Sequence, residues 1–169
     1  MLTKNIDFRN FQFSKQNKKI KKNLDLIIKN NNEILKSLSK SYINNFFKKD
    51  IIKYKKSKNF RVIGMGGSIL GTQAIYDFLK YKIKKNFIFV NNLNSEKINY
   101  EKKKYTNLIV SKSGNTIETI VNSNIIIKKK NKNIFLTENR NSYLFKLAKK
   151  LKNEIIDHNN FIGGRYSVL

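Results

Sequence analysis

The sequence predicts a three-layer α/β/α sandwich with a mainly parallel sheet, preceded by N-terminal helices. Two observations carry this. Up to about residue 58 apolar residues recur at helical spacing, whereas from Phe60 they gather into short runs bounded by turn-forming residues. Most of those runs are followed or preceded by a stretch with helical periodicity, and strands alternating with helices make a parallel sheet covered on both faces.

The elements follow in order. Ile20, Leu24, Ile27 and Ile28 mark a first helix, and Ile34, Leu35, Leu38, Tyr42 and Phe46 a second. The polar NNNE between them is a break, with Asn32 the candidate cap. Strands are predicted at FRVIG (60–64), NFIFV (86–90), TNLIV (106–110), NIFLT (133–137) and EIID (154–157). ILGTQAIYDFLKY, IETIVNSNIIIKKK and SYLFKLAKKL supply helices after the first, third and fourth of these, while residues 91–105 fit neither period. The division is therefore a helical segment over 1–58 and an α/β domain over 59–169. Right-handed crossovers bring every strand-to-helix loop to one edge of the sheet, the edge at which such folds bind ligands.

Composition narrows the function. A chain of 169 residues with 40% hydrophobic content can bury a core. It has no cysteine, so disulfides and cysteine-held metals are excluded. No apolar run has the length of a membrane span, and MLTKNIDFRNFQF lacks the apolar core of a signal peptide. These features predict a cytoplasmic protein with no membrane partner. The net charge of +25 raises nucleic acid as a partner. Yet only Arg9, Arg61, Arg140 and Arg165 are arginine, and the basic runs NKKIKK, KYKKSK, EKKKY and KKKNK are scattered. A groove reader clusters arginine and aromatics on one face. Lysine, asparagine and isoleucine in excess, with alanine only at 74 and 148, are the bias of an AT-rich genome. No specific nucleic-acid partner is expected.

Two loops at the predicted ligand edge stand out. In GMGGSILG, Gly64, Gly66, Gly67 and Gly71 surround Ser68. A dinucleotide fingerprint needs glycine where Ile69 stands, and a phosphate-binding Walker loop needs a following Gly-Lys-Ser/Thr. The loop is then a tight turn, alone or as one that brings backbone amides and Ser68 to a small ligand. The second loop is SKSGNT, 111–116, at a predicted helix start. Helix N-termini present unpaired amides to anions, and a phosphate monoester offers three strong acceptor oxygens. Ser111, Ser113 and Thr116 can each donate a hydroxyl, Lys112 adds charge, and Gly114-Asn115 tolerates the left-handed backbone of an anion nest. An ordinary hydroxyl-capped helix is the alternative. Glu118 suits the first helical turn, where the helix dipole favours a carboxylate. The last stretch, FIGGRYSVL, places two glycines before Arg165, a fork of donors for an anion.

Taken in this order, VIGMGGSILG, SKSGNTIET and IGGRYSVL resemble the phosphoglucose isomerase family, over about residues 60–169. SKSGNTIET alone resembles any sugar-isomerase (SIS) domain, and the GGR element narrows the likeness. The resemblance implies two SIS-type α/β/α domains in a homodimer, a phosphosugar substrate, and interconversion of glucose 6-phosphate and fructose 6-phosphate without metal or organic cofactor. It implies a phosphate site at Ser111, Lys112, Ser113 and Thr116, sugar contacts at Gly67 and Ser68, and Gly164 and Arg165 beside the reacting C1–C2 edge, with Arg165 stabilising the enediolate. Family members run two to three times this length, and their glutamate base, ring-opening histidine and C-terminal lysine fall beyond the GGR element. The expectation is an N-terminal SIS domain whose C-terminal part is missing, with a non-catalytic phosphosugar-binding SIS module as the alternative and, behind it, a basic nucleic-acid-associated protein on the same scaffold. His158, the only histidine, matches no family residue and is expected at a strand end or loop.

Overall fold

The computed structural model describes residues 17–30, 32–37, 39–43, 46–93, 104–129 and 131–164. The chain divides into two compact units, Met1–Tyr42 and Ile43–Leu169. In the first, helix α1 spans Lys18–Lys29 and α2 spans Glu33–Ser37. Asn32 caps α2 as its position predicts, its Oδ1 accepting from Ile34 N at 2.7 Å and Leu35 N at 3.2 Å. The periodicity running to Phe46 predicts a longer helix than forms. Ser37 Oγ donates to Ile34 O at 2.6 Å, and Ser39 and Ser41 pair their hydroxyls at 3.0 Å. Hydroxyls that bond locally compete with the helical ladder, and the serine-rich SLSKS ends it. In the second unit a separate helix, α3, spans Lys48–Ile52, and Asp50 Oδ2 accepts from Phe47 N at 2.9 Å at its start.

Five strands form the sheet: β1 Asn59–Gly64, β2 Asn86–Val90, β3 Thr106–Val110, β4 Lys132–Thr137 and β5 Glu154–Asp157. Their order is β2-β1-β3-β4-β5, and every pairing is parallel. Strands buried on both faces need continuous apolar runs rather than alternation. The central strands meet that need, with Val62, Ile63, Ile109, Val110 and Phe135 all buried. Helices α4 (Leu70–Leu79), α5 (Ile117–Ile126) and α6 (Tyr143–Lys150) complete the three layers.

Successive strand residues face opposite layers. Ile63, Ile109 and Phe135 pack with Ile126 of α5 and with Leu144 and Ala148 of α6. Val62 and Val110 face the other way, against Ile69. There Tyr76 of α4 lies 5.1 Å from the Phe87 ring and 5.7 Å from the Phe89 ring. On the same face Ile51 and Ile52 of α3 join Leu108, Ile134 and Ile156 around a mostly apolar groove of about 610 Å³. At its margin Tyr54 donates its hydroxyl to Glu154, which also pairs with Lys53 Nζ at 2.7 Å. Burial and the adjacent carboxylate push the Tyr54 phenol above its ordinary range.

The strand order decides where a ligand sits. The chain returns from β2 across β1 to β3, so the connections leaving β1 and β3 diverge to opposite layers and open a crevice between their carboxyl ends. Ligands of open α/β sheets bind at that switch point. GMGGS leaves β1 there, and SKSGNT leaves β3.

Candidate functional site

At the end of β3 the chain makes a compact loop before α5. Gly114 adopts a left-handed φ of +64°, and Asn115 does not, so the turn rests on the glycine alone. The hydroxyls converge inside it: Ser111 Oγ lies 3.1 Å and Ser113 Oγ 3.4 Å from Thr116 Oγ1. Ser111 Oγ also accepts from Gly114 N at 3.2 Å. Thr116 is the N-cap of α5 yet makes no side-chain capping bond. An ordinary hydroxyl-capped helix is therefore not what forms here. Ile120 N reaches back to Thr116 O, and the amides of Ile117, Glu118 and Thr119 open the helix without an intrahelical acceptor. Glu118 occupies the first turn, as the helix dipole favours.

The loop is held from behind. Ser111 N donates to Leu136 O at 3.0 Å, and Glu138 N donates to Lys112 O at 3.1 Å. Leu144 N donates to Gly114 O at 3.0 Å, and Asn115 Oδ1 accepts from Tyr143 N at 2.9 Å. Asn115 thus fastens the start of α6, a role its turn propensity does not reveal.

Across the crevice the chain leaves β1 through a short 3₁₀ turn, Gly66–Ser68. A side chain at Gly64 would stand 3.0 Å from Val110 O, so glycine lets the ends of β1 and β3 approach. Gly66 takes a φ of +55° in open space. Ser68 is buried, with its backbone N donating to Met65 O at 3.2 Å.

Between these loops lies a cleft of about 370 Å³ lined by Met65, Gly67, Ser68, Lys112, Ser113, Thr116, Arg140 and Gly164. Six of the eight residues singled out in the sequence face it. Ser111 does not: it is buried behind the wall, where it orients Thr116 and Gly114. Arg165 lies outside the described residues, directly after Gly164. The apolar groove over the sheet is larger but offers little for a sugar phosphate to hydrogen-bond. The smaller cleft has hydroxyls, glycine backbone, cations and a helix start.

Sequence reading missed Met65, Arg140 and, beneath the cleft, Glu138. Lys112 Nζ is engaged by Asn160 O at 2.7 Å and Glu138 Oε1 at 3.4 Å. Arg140 Nε lies 2.8 Å from Glu138 Oε2. The ENRNS segment reads as an unremarked polar turn, but it leaves β4 at the same edge as the other two loops, and Arg140 is one of few arginines in a lysine-rich chain. His158 sits at the end of β5, buried, with Nδ1 2.9 Å from Asn159 O, away from the cleft lining. Among the described residues no three acidic, histidine or cysteine side chains gather as a metal site, and no helix is long and apolar enough to cross a membrane.

Residues 13–169 match the phosphoglucose isomerase family. The chain belongs to that family. Among curated relatives, the glucose-6-phosphate isomerase of Methanocaldococcus jannaschii is 36% identical over an alignment of 137 residues, which covers 72% of this chain and 33% of that protein. The glucose-6-phosphate isomerase of Mesomycoplasma hyopneumoniae is 34% identical over an alignment of 128 residues, which covers 64% of this chain and 30% of that protein. The chain thus spans about a third of the length of these phosphoglucose isomerase relatives. In fold it is similar to the crystal structure of a hypothetical protein from Thermus thermophilus, with a TM-score of 0.61 at 21% identity, covering 70% of this chain and 33% of that one.

Proposed function

We propose that the cleft binds the phosphate and sugar of glucose 6-phosphate and fructose 6-phosphate, and that the whole protein interconverts the two. One observation carries this reading: three stretches far apart in sequence, at Met65–Ser68, 112–116 and Gly164, line a single cleft at the switch point of the sheet. Membership of the phosphoglucose isomerase family supports the choice of substrate. In this reading the first-turn amides of α5 and the hydroxyls of Ser113 and Thr116 hold the phosphate, while Ser111 fixes Thr116 and Lys112 contributes charge. Gly67 and Ser68 meet the sugar, and Gly164 lets its backbone approach the C1–C2 edge. A base moves a proton between C2 and C1 of the open-chain sugar through an enediolate. Negative charge grows on the substrate oxygens in that step, and the Arg165 guanidinium is assigned to meet it. No metal or organic cofactor takes part. The protein works as a cytoplasmic homodimer in glycolysis and gluconeogenesis.

Two measurements test this. Glucose 6-phosphate should shift the amide resonances of 111–119 and raise the melting temperature, while free glucose should do neither. Equal responses to both sugars would remove the phosphate assignment. In the whole protein, Arg165→Ala should lower kcat by about a hundredfold with a smaller change in KM, the pattern of an interaction made mainly in the transition state. Near-normal kcat in a merely destabilised variant would make Arg165 a loop clamp instead.

A further inference from the structure

Beneath the proposed phosphate site lies a charge cluster that this reading leaves unused. Glu138 is the first residue after β4, and its side chain is only 8% exposed. A buried carboxylate needs partners, and this one has two cations: Lys112 Nζ at 3.4 Å and Arg140 Nε at 2.8 Å. Both cations line the cleft, and the carboxylate beneath them does not. Lys112 is further tied to Asn160 O, whereas the Arg140 side chain is 54% exposed. A guanidinium has five N–H donors in a planar fork. Engagement at Nε fixes the plane and leaves the far edge of the fork for a second acceptor.

The backbone around Arg140 is fixed as well. Glu138 N donates to Lys112 O, and Asn139 N donates to Asp157 Oδ1 at 2.9 Å. Arg140 O accepts from Ser142 N at 2.7 Å, and Ser142 Oγ caps α6 by accepting from Phe145 N at 3.4 Å. An arginine held at its backbone and at Nε loses less conformational freedom on meeting an anion.

We propose that Arg140 is a further phosphate-binding residue of the cleft, and that Glu138 is the positioning residue that aims it. The inference rests on the phosphosugar reading above. Glu138 also separates Lys112 from Arg140, whose like charges would otherwise repel on one wall, so the site presents fixed donors with a moderated net charge. Such a wall favours a phosphorylated sugar through geometry as well as charge.

The test is titration of glucose 6-phosphate, with free glucose as control, into the chain and its variants at fixed ionic strength. Arg140→Ala should weaken glucose 6-phosphate binding by about tenfold, the scale of one exposed charge-assisted hydrogen bond. It should lower the melting temperature only in part, since Lys112 still pairs with the buried Glu138 carboxylate. Arg140→Lys should recover only a minor part, because an ammonium lacks the fork. In a Glu138→Gln background Arg140→Ala should cost less than threefold, since the guanidinium is no longer aimed; a packing role for Glu138 would leave the tenfold cost intact. Thr116→Val separates the two readings. If the wild type prefers the phosphorylated sugar and Thr116→Val abolishes that preference, while Arg140→Ala binds like wild type, the Arg140 proposal fails and the phosphate site stands. If the wild type does not distinguish the two sugars, both fail.

Discussion

Gly114→Ala is expected to destabilise the second unit by about 3 kcal/mol and to abolish the preference for glucose 6-phosphate over glucose. Two separate costs meet at this residue. Its φ of +64° is a conformation that a Cβ disfavours by about 1–2 kcal/mol. The added carbon would also stand 2.1 Å from Ser142 Oγ and 2.8 Å from Thr137 Oγ1. Neither neighbour can step aside, because both are about 1% exposed and Ser142 caps α6. Relief requires the loop to move off α6, which breaks the bonds from Leu144 N and Tyr143 N and scatters the hydroxyls. Overpacking of this kind adds about 1–3 kcal/mol. Gly66→Ala is the internal control: its φ is +55°, with nothing within 4 Å of a Cβ. It should cost only about 1 kcal/mol, the backbone part alone. Urea unfolding of the two variants measures the difference. Equal losses would mean that contact with Ser142 does not constrain the loop.

Gly114 also shows what could be read from the sequence. The strands were legible because parallel strands carry runs of adjacent apolar residues, so FRVIG, NFIFV, TNLIV, NIFLT and EIID stand out from the lysines around them. The crevice followed from alternation and handedness, and its hydroxyl-rich wall from local chemistry. Other features depend on residues distant in sequence. Asn115 looks like a turn residue until Tyr143 is placed beside it. Lys112 looks like a free cation until Glu138 appears beneath it. Arg140 has no local motif, since its site is made by Ser113 and Thr116 on another loop. The second N-terminal helix fails for the opposite reason. Its apolar period is correct, but periodicity does not register Ser37, whose hydroxyl bonds back to Ile34 O.

The largest loss of ligand binding should come from the two hydroxyls on the cleft wall. Thr116→Val keeps the shape of the side chain and removes its oxygen, and Ser113→Ala does the same with a smaller group. A hydrogen bond to a charged group contributes about 1.5–3 kcal/mol, so each change should weaken glucose 6-phosphate binding by at least tenfold. The effects should not be additive. Ser113 Oγ and Thr116 Oγ1 lie 3.4 Å apart, and Thr116 is also held by Ser111 at 3.1 Å, so removing one hydroxyl disturbs the aim of the other. The double variant should therefore lose more than either single variant, but less than the product of the single losses. Stability should fall little, because Ser111 Oγ keeps its bond from Gly114 N. Free glucose, which has no phosphate to lose, should show the same weak response in every variant. Calorimetric titration of both sugars, with melting temperatures on the same samples, separates lost contacts from a lost fold. Wild-type affinity in the double variant would place the phosphate elsewhere and return the hydroxyls to a purely structural role.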